Sequence, residues 1–394
     1  MNQNASIDLT RHLRDAAQNA PESGIVAVAN HGRSNPGVIP LWVGEGDAPT
    51  PPFITRPTEA ALENGETFYT WQRGLPDLRA ALAGYHSRLF GRSFEPSQFI
   101  VTGGGMQAIQ LAIQATAGAG DEILYLTPAW PNFAGAAGIA GVRPKPVSLD
   151  FGDNGWSLDI DKLARSVTPQ TRAVFFNSPS NPTGWTATRD DIQAVLGLAR
   201  QHGLWIIADE IYTRFYYDGP RAPSFLDVMH EDDRVIFVNT FSKNWAMTGW
   251  RIGWVMIPPS VQQVFENLVQ YSTSGVASFM QRGAVAALDQ GDEFVQSQVS
   301  RAQLARDIVS VALAKTGRAR FAVPPGAFYL FFAVDGVTNS LNAAIRLIDE
   351  TNVGLAPGSA FMAPGEGWFR LCFNRRIDQI EEASRRLSGW IRSL

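Results

Sequence analysis

Lysine is nearly absent from this chain of 394 residues: its 33 basic residues comprise Lys145, Lys162, Lys243 and Lys315 and, for the rest, 29 arginines. Few positions can therefore perform chemistry that needs a free amine. Cysteine is scarcer still, and Cys372 standing alone rules out an intrachain disulfide or a thiolate metal cluster. The five histidines, His12, His31, His86, His202 and His230, form no ligand pair at helical spacing, so no metal is expected. Long apolar runs are missing as well. Stretches such as Phe328–Val334 fall far short of the ~20 residues that span a bilayer, and the N-terminal MNQNASIDLTRHLRDAAQN has no hydrophobic signal core. A soluble, cytoplasmic chain is expected. With a formal net charge of −4, no basic field exists to hold a nucleic-acid backbone or an anionic membrane, which leaves small molecules as the default partners.

What is present suits a globular protein: 45% of residues are hydrophobic and 18% charged. The length predicts two domains. After an N-terminal arm of about 20 residues and the Gly- and Pro-rich segment GEGDAPTPPF at 44–53, helices and short apolar strands alternate. A helix over roughly 75–90 carries Leu75, Leu78, Leu82 and Leu89 on one face, and the strand Phe99–Val101 leads through a Gly triplet into a helix over 106–117. Further strands read at 122–126, 173–177, 204–208 and 235–239. They are apolar on both faces and separated by helical lengths, the pattern of a buried, mostly parallel sheet in an α/β layer structure. From about 255 the sequence reads as helix over 261–289 and 293–316, then strand-rich over 321–335, 353–355 and 368–373, with a last helix over 377–393. That portion forms a second, α+β domain, completed by the N-terminal segment.

Ligands of parallel sheets bind beyond the carboxyl ends of the strands. Those ends read Gly103-Gly104-Gly105-Met106-Gln107, Pro128-Ala129-Trp130, Asn177-Ser178-Pro179 leading to Asn181-Pro182-Thr183-Gly184, Asp209-Glu210-Ile211-Tyr212, and Thr240-Phe241-Ser242-Lys243. Each alone is weak: the Gly triplet is no dinucleotide fingerprint, and Asn-Pro-Thr-Gly is more often a turn than a site. The run NTFSKNWAMTGWRIGW at 239–254 is decisive. It sets one of only four lysines beside two hydroxyls and among Phe241, Trp245 and Trp250, with Arg251 eight residues on. A desolvated lysine has a lowered pKa and becomes a nucleophile toward carbonyls.

On these residues, from Gly44 to Arg370, the chain resembles the class I/II aminotransferases, fold-type I enzymes that depend on pyridoxal 5′-phosphate (PLP). The resemblance implies a large domain over 48–286 with a mostly parallel seven-stranded sheet flanked by helices. A small α+β domain would be built from both chain ends, 1–47 and 287–394. It implies that Lys243 forms the internal aldimine and moves the substrate α-proton, that Asp209 pairs with the pyridine nitrogen, and that Tyr212 and Asn181 bond the phenolic oxygen. Trp130 would stack on the ring. The phosphate would be held by the amides of Gly105 and Met106, by Thr240, Ser242 and Arg251, and by Tyr69 from a neighbouring subunit, making the protein a homodimer with shared sites. Arg370, with the backbone of Gly44 and with Trp130 and Asn181 nearby, would bind the substrate carboxylate. PPGAFYLF at 324–331 and PGSAF at 357–361 resemble structural segments of the small domain.

The implied activity is transfer of the α-amino group of an L-amino acid to a 2-oxo acid by a ping-pong mechanism. Two segments depart from the family pattern. Gly44-Glu45-Gly46-Asp47 replaces Gly-Glu-Pro-Asp, which loosens that loop, and Gly104-Gly105-Met106 forfeits a hydroxyl at the phosphate. Trp71, Phe133, Trp185 and Trp130 suggest an apolar pocket favouring aromatic or large aliphatic substrates, against which stand core packing of these residues and an aspartate aminotransferase. A β-lyase or decarboxylase on the same scaffold is a further alternative. A ligand-sensing regulator would need a DNA-binding module, and no basic stretch precedes Gly44.

Overall fold

The computed structural model describes residues 9–362 and 364–394; the first eight residues of the N-terminal arm lie outside them. The site-bearing sheet contains seven strands: β1 (Phe99–Thr102), β2 (Glu122–Thr127), β3 (Arg143–Ser148), β4 (Thr171–Asn177), β5 (Trp205–Asp209), β6 (Val235–Thr240) and β7 (Gly253–Met256). Their spatial order is β1-β7-β6-β5-β4-β2-β3, with β7 alone antiparallel to its neighbours. The α/β architecture read from the sequence is therefore the observed one. The central strands are apolar on both faces because helices cover both, and every residue of β1 and β7 is buried.

Two strands were not legible in the sequence. β3 contains Pro144 and Pro146, and Lys145 between them reads as part of a loop; it instead lies on the outermost strand of the sheet. A proline has no N–H to give a ladder, which is tolerated at an edge because the outward groups need no partner strand. β7 falls where the sequence reads as turning helical. Its first residue, Gly253, sits opposite both Thr102 and Thr240, and a Cβ there would lie 2.6 Å from the Asn239 carbonyl oxygen.

The helices that frame the site and the second unit are α1 (Gly24–Arg33), α2 (Pro76–Phe90), α3 (Gly105–Thr116), α4 (Pro131–Ile139), α5 (Arg189–His202), α6 (Gln262–Gln270), α7 (Ser278–Gln290), α8 (Asp292–Ala314), α9 (Ser340–Thr351) and α10 (Ile377–Ser393). The single helix expected over 261–289 is two, α6 and α7, broken where Ser274 and Gly275 take φ of 56° and 110°. The expected helix over 75–90 is α2, with Leu78 and Leu82 fully buried and Pro76 in its first turn.

The second unit is built on a four-stranded antiparallel sheet of β8 (Ala319–Phe321), β9 (Tyr329–Val334), β10 (Ala356–Pro357) and β11 (Trp368–Cys372), in the order β8-β9-β11-β10. Residues 39–40 pair in parallel with 353–354, which ties the N-terminal segment to this unit, and α1 packs on α9 and β10. α10 packs on α8 and α9 with Ile380, Leu387, Trp390 and Ile391 buried, and its Trp390 ring meets Phe369 of β11 edge-on at 6.4 Å. Among the described residues no helix is long and apolar enough to cross a membrane.

Candidate active site

The carboxyl ends of β4, β5 and β6, the start of α3, the segment 42–45 and the facing edge of the second sheet enclose a cavity of about 440 Å³. Lys243 lies on its wall three residues after β6. Its Nζ donates to the Gly44 carbonyl oxygen at 2.7 Å, and its sequence neighbours Phe241 and Trp245 form a buried aromatic cluster with Trp254. Burial brings its pKa down to about 8, with Arg370 and Arg251 acting in the same direction and Cys372 and Glu45 against it. This amine therefore gives up its proton more readily than an exposed lysine.

Asp209 ends β5 and is 2% exposed; its Oδ1 accepts only from the Ile211 N–H, at 3.4 Å. Burial pushes its carboxyl up to about 7, which the Ile211 amide and Lys243 only partly offset. Tyr212, three residues on, shares a 2.7 Å hydrogen bond with the hydroxyl of Tyr329, and burial holds the Tyr212 phenol well above its ordinary pKa.

Two guanidinium groups line the cavity, each among its own set of neighbours. Arg251 has left-handed backbone (φ 53°), and its Nη1 donates to the Thr248 carbonyl at 2.7 Å. It stands against the start of α3: a Cβ on Gly104, itself at φ +84°, would lie 2.8 Å from Arg251 Nη2. Thr240 and Ser242, both buried, share a 2.9 Å hydroxyl–hydroxyl bond beside it. The free N–H groups of a helix start, a guanidinium and two hydroxyls form an anion cradle. Arg370, 2% exposed on β11, donates from Nη1 to Asn181 Oδ1 at 3.0 Å and from Nη2 to the Trp42 carbonyl. Its guanidinium sits 4.6 Å from the Tyr329 ring centroid, and its Nε is buried without a partner. Neither arginine has a carboxylate within 4.0 Å among the described residues.

The structure thus brings together Gly44, Gly105, Met106, Trp130, Asn181, Asp209, Tyr212, Thr240, Ser242, Lys243, Arg251 and Arg370. Tyr69 is not among them: it is 95% exposed, beside Phe68 (84%) and Trp71 (61%). The aromatic pocket foreseen from Trp71, Phe133 and Trp185 is corrected. Phe133 is fully buried and stacked on Phe175 at 3.9 Å, Trp185 packs edge-on against Phe176, and neither lines this cavity. The bland alternative, core packing, holds for those two, and only Trp130 of the four faces the cavity. Its apolar wall instead comes from Ile25, Val26, Ala29, Trp42 and Val43.

Sequence reasoning also missed Tyr329, assigned with PPGAFYLF to structure alone. Gly44 is its counterpart, since a Cβ there would fall 2.3 Å from the Tyr329 hydroxyl. The loop around Gly46 is tied on both sides: Thr248 Oγ1 donates to Glu45 at 2.9 Å, and Asp47 pairs with Arg301 at 3.0 Å. Gly46 fits because a Cβ would meet Asn374 Nδ2 at 2.9 Å.

A lysine amine, a buried acid and an anion cradle at the carboxyl ends of a mostly parallel seven-stranded sheet define a fold-type I enzyme. The aminotransferase class I and II family model matches residues 36–387, and the chain belongs to that family. It is 33% identical over 357 residues to an aspartate aminotransferase of Thermotoga maritima, covering 90% of this chain and 92% of that one. It is 32% identical over 355 residues to the aromatic-amino-acid aminotransferase 2 of Thermococcus litoralis, covering 89% and 91%. The solved structure of the Thermus thermophilus aspartate aminotransferase with maleate superposes with a TM-score of 0.89 at 30% identity, over 96% of this chain and 99% of that one. The protein is an aminotransferase, and its family implies PLP as cofactor. The residues fit that group: the Gly104–Arg251 cradle suits a phosphate dianion, and the buried Asp209 carboxyl, held by one long amide contact and no charged partner, suits a protonated ring nitrogen.

Proposed function

We propose that the protein transfers the α-amino group of L-amino acids to 2-oxo acids in two half-reactions, and that it accepts donors with apolar side chains. The observation that carries this is one cavity lined by two guanidinium groups without carboxylate partners and by a lysine amine of pKa about 8. When bound, PLP supplies an aldehyde that condenses with amines and a ring that draws off the electrons left at the α-carbon.

The chain's own residues do the rest. Arg251, the amides of Gly105 and Met106, and the hydroxyls of Thr240 and Ser242 hold the phosphate. Asp209 keeps the ring nitrogen protonated, Asn181 and Tyr212 donate to the phenolic oxygen, and Trp130 covers one face. Arg370 binds the substrate carboxylate through two parallel N–H bonds, with Gly44 contributing backbone. Lys243 Nζ takes the α-proton in one half-reaction and returns it in the other. Ile25, Val26, Ala29, Trp42 and Val43 exclude water and receive the side chain, in keeping with the aromatic-amino-acid relative.

We take 48–286 as the cofactor-holding domain, and 1–47 with 287–394 as the domain that closes through Arg370 when a carboxylate binds. The exposed Phe68, Tyr69 and Trp71 support a homodimer in which Tyr69 reaches the partner's phosphate site. The test is a single turnover of holoenzyme with phenylalanine, leucine or aspartate. One equivalent of the 2-oxo acid, with loss of the aldehyde absorbance, is expected. Ammonia or carbon dioxide as product would instead identify a lyase or a decarboxylase.

A further inference from the structure

Three arginines line the cavity, and the proposed transamination uses two of them. The third is Arg33, in the last turn of α1. Its one hydrogen bond is a long one, from Nη1 to Asn30 Oδ1 at 3.5 Å, and no carboxylate lies within 4.0 Å among the described residues. A cation near a helix C-terminus is favoured by the macrodipole in any protein. That does not account for its place on the cavity wall.

The position of α1 is specific. Ile25, Ala29 and Arg33 follow one another at four-residue spacing and all line the cavity, so one face of the helix offers an apolar stripe that ends in a guanidinium. This face adjoins the segment that holds Arg370. Gly32 backs onto the Trp42 ring, where a Cβ would meet Trp42 Cη2 at 2.5 Å, and the Trp42 carbonyl is the group that accepts from Arg370. A substrate anchored at Arg370 thus has the stripe alongside it and a second, unpaired cation at the stripe's end.

We propose that Arg33 is a specificity residue that reads the distal carboxylate of acidic amino acids and their 2-oxo acids. The carbon stem of such a substrate packs on Ile25 and Ala29, and its terminal carboxylate pairs with Arg33. The same cavity therefore serves two side-chain classes, the apolar ones by its wall and the acidic ones by Arg33. This role rests on the aminotransferase reading of the site.

The test compares holoenzyme of the natural sequence with Arg33→Gln, Arg33→Lys and Arg33→Glu, in half-reactions with aspartate and glutamate against phenylalanine and leucine. Arg33→Gln is expected to lower the ratio of kcat/KM for acidic over apolar donors roughly 10- to 100-fold, the worth of a hydrogen-bonded charge pair, with most of the loss in KM. Arg33→Lys should recover part of it, and Arg33→Glu should fall below Arg33→Gln. A structural role for Arg33 would lower both donor classes alike and leave the ratio unchanged. An unchanged ratio, or a natural enzyme that does not convert acidic donors at all, overturns the proposal. A natural enzyme that converts no amino acid would instead bring down the aminotransferase reading itself.

Discussion

Asp209→Asn should make the cofactor-free protein more stable while making the holoenzyme slower. In the cofactor-free chain, Asp209 is a carboxyl at 2% exposure with a single long amide contact, and its pKa lies at about 7 against an ordinary 3.8. A group whose folded pKa is raised contributes stability that is fully present below the unfolded value and lost as pH rises through the folded one. Here that window runs from 3.8 to about 7. Within it the slope approaches ~1.4 kcal/mol per pH unit. Across the whole window a carboxylate therefore costs about 4 kcal/mol relative to a neutral isostere of the same shape. The buried Glu210 next to it, pushed up to about 8, is common to both proteins and cancels in the comparison.

The measurement is denaturant unfolding of the cofactor-free proteins at pH 5, 6.5 and 8. Asp209→Asn should gain least at pH 5, with a gap that widens to several kcal/mol at pH 8. Adding PLP should shrink or reverse the gap, because the protonated ring nitrogen then pairs with Asp209. The half-reaction should slow roughly 10- to 100-fold, the worth of a hydrogen bond between charged groups. A gap that is absent, or that does not grow with pH, would refute the claim that Asp209 is buried without a charged partner until the cofactor binds.

In the cofactor-free protein, Lys243 should react with an amine reagent with a half-maximal rate near pH 8, as peptide mapping over the four lysines would show; Lys243→Ala should lose transamination entirely. Arg370→Gln removes two charge-assisted bonds to the substrate and should cut kcat/KM for every donor by roughly 10²- to 10⁴-fold, read from steady-state kinetics, while cofactor affinity measured by titration stays unchanged. Gly44→Ala should destabilise the protein by about 1–3 kcal/mol, because its Cβ would sit 2.3 Å from the Tyr329 hydroxyl. Adding Tyr329→Phe should recover part of that loss in thermal unfolding, and a double-mutant cycle without coupling would contradict the contact.

The legible part of the site consists of residues that sit just after strands with a strong buried pattern. Asp209 and Thr240 end β5 and β6, and Lys243 comes three residues after β6; the runs WIIAD and VIFVNT admit little but a buried strand, so the polar residue that ends each run announces itself. β3 was missed for the opposite reason. Two prolines argue against a strand until one knows that it lies at an edge, and edge position is a property of the assembled sheet. Tyr329 was passed over because FYLF reads as an ordinary buried strand; only its partner across the cavity, the Tyr212 hydroxyl at 2.7 Å, makes it part of the site. Phe133 and Trp185 erred the other way, since adjacency to Trp130 and Gly184 in sequence says nothing about which side of the sheet a ring falls on.

By itself the sequence determined the family and which polar residues meet: the motif order from Gly44 to Arg370 carries the resemblance to the class I/II aminotransferases, and parallel strands must deliver their polar ends to one edge of the sheet. The tertiary structure alone decided what surrounds those residues. The apolar wall, Arg33 and Tyr329, the partner of Tyr212, come from segments that precede the sheet or belong to the other unit, and they meet the strand ends only when the two units pack. Substrate choice depends on where such distant side chains converge, and local patterns of hydrophobicity and spacing carry no record of that.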